Sequence, residues 1–174
     1  MNMSYLVQSL GTNGTVPRMK TRVMFVAVFL LAAGLVGCAS GPKYDEVAAK
    51  IHPIPPGHAR VFFYREQGHA GARMKPDVDL DGEKIGKSKE GGFFFIDRLP
   101  GAYMVSTTTE TKYEVQLDLE AQQTIYVNTK IGMGFWVGRV RPVLEEQEVA
   151  MKTLRKCRYI GYLEELGGKP RKHR

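Results

Sequence analysis

The chain has 174 residues, of which 43% are hydrophobic and 25% charged, a balance typical of one globular domain with additional segments. Its formal net charge is +7, but seven positive charges lie outside the body, before the apolar run at Val23 and between Lys169 and Arg174. The body is therefore neutral, and we expect no nucleic-acid-binding face. Two cysteines, Cys38 and Cys157, are too few for a disulfide framework or a metal-type cysteine pair.

Residues 1–37 are predicted to be a secretory signal peptide. A basic region, Met19 to Arg22, precedes an apolar run, Val23 to Val36, which is shorter than the ~20 residues that a membrane-spanning helix needs. Residues 1–18 are polar and do not fit a leader, so we interpret Met19 as the true start; the alternative is a long leading region.

The end of the apolar run, Leu35-Val36-Gly37-Cys38, resembles the lipobox of bacterial lipoproteins. This resemblance implies cleavage between Gly37 and Cys38, and lipidation, including palmitate, at the Cys38 thiol. The alternative is a signal anchor that happens to end in cysteine. Ala39 follows Cys38, where Asp would favour inner-membrane retention in Gram-negative bacteria, so the resemblance favours an outer-membrane lipoprotein facing the periplasm. A Gram-positive origin would place it on the plasma membrane.

The remaining chain is predicted to be a flexible tether, a small antiparallel β-sandwich and a basic tail. Prolines 53, 55 and 56 predict an extended tether over residues 38–57. In the domain, residues 58–166, apolar residues on both faces of Ala59 to Arg65 indicate a central strand, and alternation over Lys112 to Glu120 indicates a half-buried one. Further strands are predicted at residues 93–97, 102–109, 124–131 and 135–143, a C-terminal amphipathic helix at 145–156, and the tail at 167–174.

The stretch Pro76 to Gly86, PDVDLDGEKIG, has two interpretations. Its alternating aspartates match the first positions of an EF-hand calcium loop. The twelfth position of such a loop carries a bidentate acid, but here it is Ser88. A hairpin with an Asp81-Gly82 type I′ turn explains more of the pattern, because it also places Val78 and Leu80 on the core face. We therefore predict a hairpin and no metal site.

Residues 78–109, VDLDGEKIGKSKEGGFFFIDRLPGAYMVSTTT, resemble small secreted sandwiches of the PEGA type. With the strands and helix on either side, the chain resembles the bacterial lipoprotein family with the domain of unknown function number 2846. The shared residues are turn and packing residues: Asp81, Gly82, Gly86, Pro100, Gly101 and Tyr103. The resemblance therefore implies a fold and a cell-envelope location, without an established activity.

The sequence contains no hydrolase elbow, zinc-protease motif, P-loop or dinucleotide-binding glycine pattern, and its four histidines lack ligand spacing. We therefore expect no cofactor and favour a non-catalytic module that binds an unknown envelope protein or cell-wall partner. The alternative is a periplasmic hydrolase-like enzyme with a site built from scattered residues such as Asp97, Glu110 and Arg139.

Candidate binding residues lie in two glycine-rich stretches, Glu66 to Lys75 and Gly132 to Gly138. They are His69 and Arg73 in the first stretch and Trp136 in the second, since aromatic residues in sandwich-end loops often contact ligands. For Trp136 a core position is the favoured alternative. Cys157 falls on the apolar stripe of the predicted helix, and a core thiol is favoured over a reactive one.

Overall fold

The computed structural model describes residues 39, 41–68, 73–132, 138–161 and 166, which belong to one compact unit, Gly37–Arg174. The predicted signal peptide, Cys38, His69, Trp136 and the tail at 167–174 lie outside the described residues. The described part has two α-helices, α1 (Tyr44–Val47) and α2 (Gln147–Leu154), and a 3₁₀ turn, Ala48–Lys50. Neither helix has the length and hydrophobicity needed to cross a bilayer.

The same residues form nine strands in two sheets, so the chain is mainly β, as predicted. Sheet A has the order β8-β7-β1-β4-β9 and sheet B the order β3-β2-β5-β6. The strands are β1 (Ala59–Tyr64), β2 (Asp77–Leu80), β3 (Glu83–Lys87), β4 (Gly92–Arg98), β5 (Gly101–Thr108), β6 (Lys112–Leu119), β7 (Thr124–Gly132), β8 (Arg139–Glu145) and β9 (Arg158–Tyr159).

Strand direction corrects the prediction of a purely antiparallel sandwich. Sheet B is antiparallel throughout, but in sheet A β1 pairs in parallel with β7, and β4 in parallel with β9. All four strands of sheet B and strand β4 lie between β1 and β7 in the sequence, yet β1 and β7 are neighbours in sheet A. Side-chain alternation has the same period in both arrangements, so the sequence pattern does not distinguish them.

The main core lies between the two sheets. Val61 and Phe63 of β1 and Val127 of β7 pack with Val105 and Leu117 of sheet B, and all five are completely buried. Thr107 Oγ1 of sheet B donates to the Val140 carbonyl oxygen of sheet A at 2.7 Å, which adds a direct polar link. The architecture is therefore sandwich-like, with the alternating face of β6 directed into the core.

A second core covers the outer face of sheet A, the face that points away from sheet B. Phe62, Tyr64, Phe93, Phe95 and Tyr126 of this sheet pack with helix residues Val47, Ala150 and Leu154, and with Cys157 and Tyr159. Every residue of β1 is therefore buried, as its run of apolar residues predicted.

The N-terminal part of the described chain forms a strap, residues 41–52, on this outer face. Val47 is 2% exposed and Tyr44 packs against the second core. The Tyr44 amide donates to the Cys157 carbonyl at 3.1 Å, and the Tyr159 amide donates to the Pro42 carbonyl at 2.8 Å. The strap is thus docked on the domain, which differs from the flexible tether predicted over residues 38–57. The reason is that Tyr44, Val47 and Ile51 find apolar partners on a face that sheet A would otherwise expose.

The aspartate-rich stretch is the predicted hairpin. β2 and β3 pair in antiparallel fashion around Asp81 and Gly82, whose φ angles of 50° and 84° fit the type I′ turn. Val78 and Leu80 are buried in the main core, as predicted. The Asp77 carboxylate lies 2.9 Å from both Lys84 Nζ and Lys87 Nζ, and Asp81 Oδ1 accepts the Met104 amide at 2.7 Å.

Candidate functional site

A charged pair is buried where the strap meets sheet A. Arg60 lies in β1 directly opposite Asp97 of β4, and it is 5% exposed. Arg60 Nε donates to Asp97 Oδ1 at 2.7 Å, and Nη2 donates to Oδ2 at 2.8 Å. The guanidinium also lies 4.6 Å from the centre of the Phe95 ring. The two forked hydrogen bonds and the aromatic contact hold the guanidinium in one orientation.

The same pair binds the end of the strap. Arg60 Nη1 donates to the His52 carbonyl oxygen at 2.7 Å, and His52 Nε2 lies 3.0 Å from Asp97 Oδ2. The His52 side chain is 46% exposed, whereas that of Asp97 is 12% exposed. We call these three residues, Arg60, Asp97 and His52, the Arg60 cluster. It joins the strap to β1, the central strand of sheet A, and to its neighbour β4.

The charge of Asp97 is set by its two neighbours. Burial acts to raise its pKa, but the hydrogen bonds and charge of Arg60, with those of His52, outweigh burial. The pKa of the Asp97 carboxyl therefore lies below its usual value, and the group is ionised at neutral pH.

Aromatic packing holds the middle of the strap. The Tyr44 ring lies 5.5 Å from the Phe93 ring and 6.4 Å from the Phe62 ring, and both pairs are inclined. Such inclined pairs are favourable because the edge of one ring meets the face of the other. The strap is therefore attached along its length by hydrogen bonds, ring contacts and the Arg60 cluster.

A second polar cluster lies on the same face, at the start of α2. Tyr64 donates a hydrogen bond from its hydroxyl to Glu145 Oε2, Asn128 Nδ2 donates to Glu145 Oε1 at 3.2 Å, and Lys130 Nζ lies 2.6 Å from that oxygen. Burial acts to raise the pKa of Glu145, but these three partners together lower it below its usual value. Burial and the hydrogen bond to Glu145 raise the pKa of Tyr64. We call this group the Glu145 cluster.

Both carboxylates make stability fall in acid. Each has a folded-state pKa below its ordinary value of 3.8 for Asp97 or 4.5 for Glu145, so each contributes stability above that value and loses it as pH falls further. We expect the free energy of unfolding in urea to be nearly constant from neutral pH to about pH 5, and then to fall steeply. The Asp97→Asn variant should show a shallower fall than the wild type. Equal slopes for the two proteins would contradict the assignment.

The Arg60 cluster is suited to holding the strap. A carboxylate that orients a histidine is also found in general acid–base sites. Here, however, Arg60 donates a hydrogen bond to each of the two oxygens of Asp97. Of the three residues named for a scattered enzymatic site, Arg139 Nε lies 3.8 Å from Glu110 Oε2, whereas Asp97 belongs to the Arg60 cluster. The structure thus brings two of the three together and places the third elsewhere.

The predicted binding residues fall partly outside the described chain. Arg73 is exposed in a turn, while His69 and Trp136 are not described. The described ends of these two glycine-rich stretches are in contact. Met74 packs against Gly138 so closely that a β-carbon added at Gly138 would lie 3.1 Å from Met74 Cε. Arg65 Nη1 donates to the Met74 carbonyl at 2.7 Å and fixes that flank.

Metal and thiol chemistry find little support in the described residues. Within them, no group of three or more His, Cys, Asp and Glu side chains is arranged to hold a metal ion. Cys157 is 1% exposed, and burial raises the pKa of its thiol to about 12, so it is protonated at neutral pH. The interpretation of Cys157 as a core residue is confirmed.

Sequence reasoning missed Arg60, His52 and the Glu145 cluster. One signal was available for Arg60, a charged residue within the otherwise apolar strand ARVFFY, since a buried charge requires a partner. The identity of that partner, 37 residues away, follows from the strand register and not from any local pattern.

Comparison with known proteins gives three similarities. Residues 55–140 match the family described as "Protein of unknown function (DUF2846)", which supports the predicted resemblance to the domain of unknown function number 2846 over the matched residues. An "Uncharacterized protein" of Haemophilus influenzae is 24% identical over 157 residues, which cover 87% of this chain and 91% of that protein.

The third similarity is to a solved structure, the N-terminal domain of AlgF from P. aeruginosa. The match covers 53% of this chain and 98% of that one, with 18% identity and a TM-score of 0.37. A score of this size assigns neither a fold nor a function to the chain.

Proposed function

We propose that the protein is a lipid-anchored bacterial envelope lipoprotein whose β-sandwich-like domain is a non-catalytic binding or assembly module. The observation that carries the proposal is the basic region, short apolar run and Leu35-Val36-Gly37-Cys38 stretch, in that order. The proposed anchor is lipid on Cys38, and the proposed location is the outer membrane, facing the periplasm.

The described site supports a binding module in preference to an enzyme. The ionised carboxylate of Asp97 is engaged by Arg60 and His52, and that of Glu145 by Tyr64, Asn128 and Lys130. Both clusters therefore connect strands, strap and helix, and each carboxylate is held by three donors from the domain itself. The proposed partner is a protein or cell-wall component that contacts the exposed residues 66–68 and Arg73.

The test of the anchor is substitution of its cysteine. Wild-type protein expressed in bacteria should incorporate labelled palmitate, partition into detergent and stay in membranes through a high-salt wash, since several acyl chains bind far more strongly than one. Cys38→Ser should incorporate no label and should lose normal processing, because the thiol that accepts the lipid is gone.

The other cysteine is the matched control. Cys157→Ala removes a thiol that is buried in the domain, so this variant should keep both the label and the processed mass. Label retained by Cys38→Ser, together with the mass of a processed and acylated chain, would contradict the proposal.

A further inference from the structure

The docked strap brings the proposed anchor close to the domain. Arg158 Nη1 donates to the Gly41 carbonyl oxygen at 3.0 Å, so Gly41 is fixed beside β9. Two residues, Ala39 and Ser40, separate Gly41 from Cys38, and an extended chain covers ~3.3–3.6 Å per residue. Cys38 therefore lies within about 11 Å of Gly41. Lipid at Cys38 would hold this part of the domain at the membrane surface.

Exposed cations lie close to Gly41 in the strap and between α2 and β9. Four lie in the strap and after the end of α2: Lys43, Arg155, Lys156 and Arg158. We call these four residues the basic rim. The backbones of Lys43 and Arg158 pair directly, which places the strap side of the rim against the β9 side. Arg155 lies close enough to Tyr44 that its charge opposes the rise in pKa that burial gives the hydroxyl.

The charge of this surface remains positive when its acids are counted. Asp45 and Glu46 of α1 and Glu148 of α2 are exposed nearby, and Glu46 Oε2 accepts the Lys43 amide at 3.2 Å. With Lys152 of α2, which lies beside Glu148 and Arg155, five exposed cations face these three carboxylates. Val149, which is 51% exposed, lies one helical turn before Lys152 on α2. An exposed apolar side chain beside a cation is a feature of surfaces that lie on lipid headgroups.

We propose that the basic rim binds the anionic phospholipid headgroups of the membrane that carries the anchor. The domain then lies against the bilayer and not at the end of an extended tether. This inference rests on the proposed lipidation of Cys38. Anionic headgroups supply the opposite charge, and attachment within about 11 Å keeps them at high local concentration.

The test uses lysines as reporters of contact. The lipidated full-length product would be purified in detergent and reconstituted on vesicles of phosphatidylcholine alone, or of an equimolar mixture with phosphatidylglycerol. Amine acylation would then be followed by mass spectrometry. Lys43 and Lys156 should react several-fold more slowly on the anionic vesicles than in detergent, and the protection should weaken in high salt. Lys84 and Lys87, on β3 of sheet B, should react at equal rates in every sample.

Charge variants provide the control. Arg155→Glu should reduce the protection of Lys43 and Lys156, whereas Lys112→Glu, an equal change in sheet B, should leave it unaltered.

Reactivity of Lys43 and Lys156 on anionic vesicles equal to that in detergent would overturn the inference, as would equal protection on neutral vesicles. Protection confined to native membranes would overturn it in favour of an acidic protein partner. If the purified protein carries no acyl mass, the proposed function fails as well; if it is acylated but unprotected, the inference alone fails.

Discussion

Asp97→Ala is expected to lower the free energy of unfolding by about 3 kcal/mol or more, because it leaves the Arg60 guanidinium buried without its carboxylate. Arg60 is 5% exposed, and both of its contacts with Asp97 are shorter than 3 Å. The loss combines an uncompensated buried charge with release of His52, whose imidazole also contacts Asp97. Urea unfolding followed by tyrosine and tryptophan fluorescence measures it, and a matching fall in the thermal midpoint of about 10 °C is expected.

Asp77→Ala is the matched control, since it removes another strand aspartate that also contacts two cationic side chains. The Asp77 side chain is 40% exposed and its partners, Lys84 and Lys87, are about half exposed, so solvent screens their attraction. The expected loss is therefore below about 1 kcal/mol. Equal losses for Asp77→Ala and Asp97→Ala would show that the buried pair has no special role in stability.

Gly41→Ala is expected to release the strap from the domain. A β-carbon at residue 41 would lie 1.7 Å from the Tyr159 carbonyl oxygen, well inside van der Waals contact. The obstacle is backbone in β9, so no side-chain rotation can relieve it. Trypsin should then cleave after Lys43 and Lys50 many-fold faster than in the wild type, and hydrogen exchange at the Tyr44 amide should accelerate.

Gly68→Ala is the control for this substitution, because a β-carbon at residue 68 would meet no atom within 4 Å. Its cleavage and exchange should match those of the wild type. Release of the strap would also uncover Val47, whose full burial contributes about 2 kcal/mol, so Gly41→Ala should unfold at lower urea concentration. Unchanged cleavage after Lys43 in Gly41→Ala would show that the strap is not held as described.

The placement of the strap changes what an anchor at Cys38 would do. An extended tether of residues 38–57 would let the domain reach some tens of ångströms from the headgroups. A strap docked from Gly41 onwards leaves only Ala39 and Ser40 between the docked chain and Cys38, and Ala39 is 7% exposed. The Arg60 cluster and the ring contacts of Tyr44 thus determine how close the domain lies to the proposed membrane, and Gly41→Ala would restore the longer reach.

Sequence alone determined the features that depend on neighbours along the chain. Alternation over Lys112 to Glu120 predicted the buried face of β6, because strand side chains alternate whatever the rest of the fold does. Asp81-Gly82 predicted the hairpin, because that pair tolerates the positive φ angles that a two-residue turn requires. The apolar residues of β1 predicted a strand covered on both faces. The lipobox prediction likewise rests on the sequence, and Cys38 lies outside the described residues.

Tertiary structure decided which distant segments meet. The parallel pairing of β1 with β7 brings together strands more than 60 positions apart, and no local pattern records strand direction. The Arg60–Asp97 pair depends on the register of β1 against β4. Glycine and proline indicated an extended tether, but Tyr44 and Val47 dock because sheet A presents an apolar outer face that needs cover. Burial of that face is a property of the assembled sheet, and it exists only after strands from the whole domain have come together.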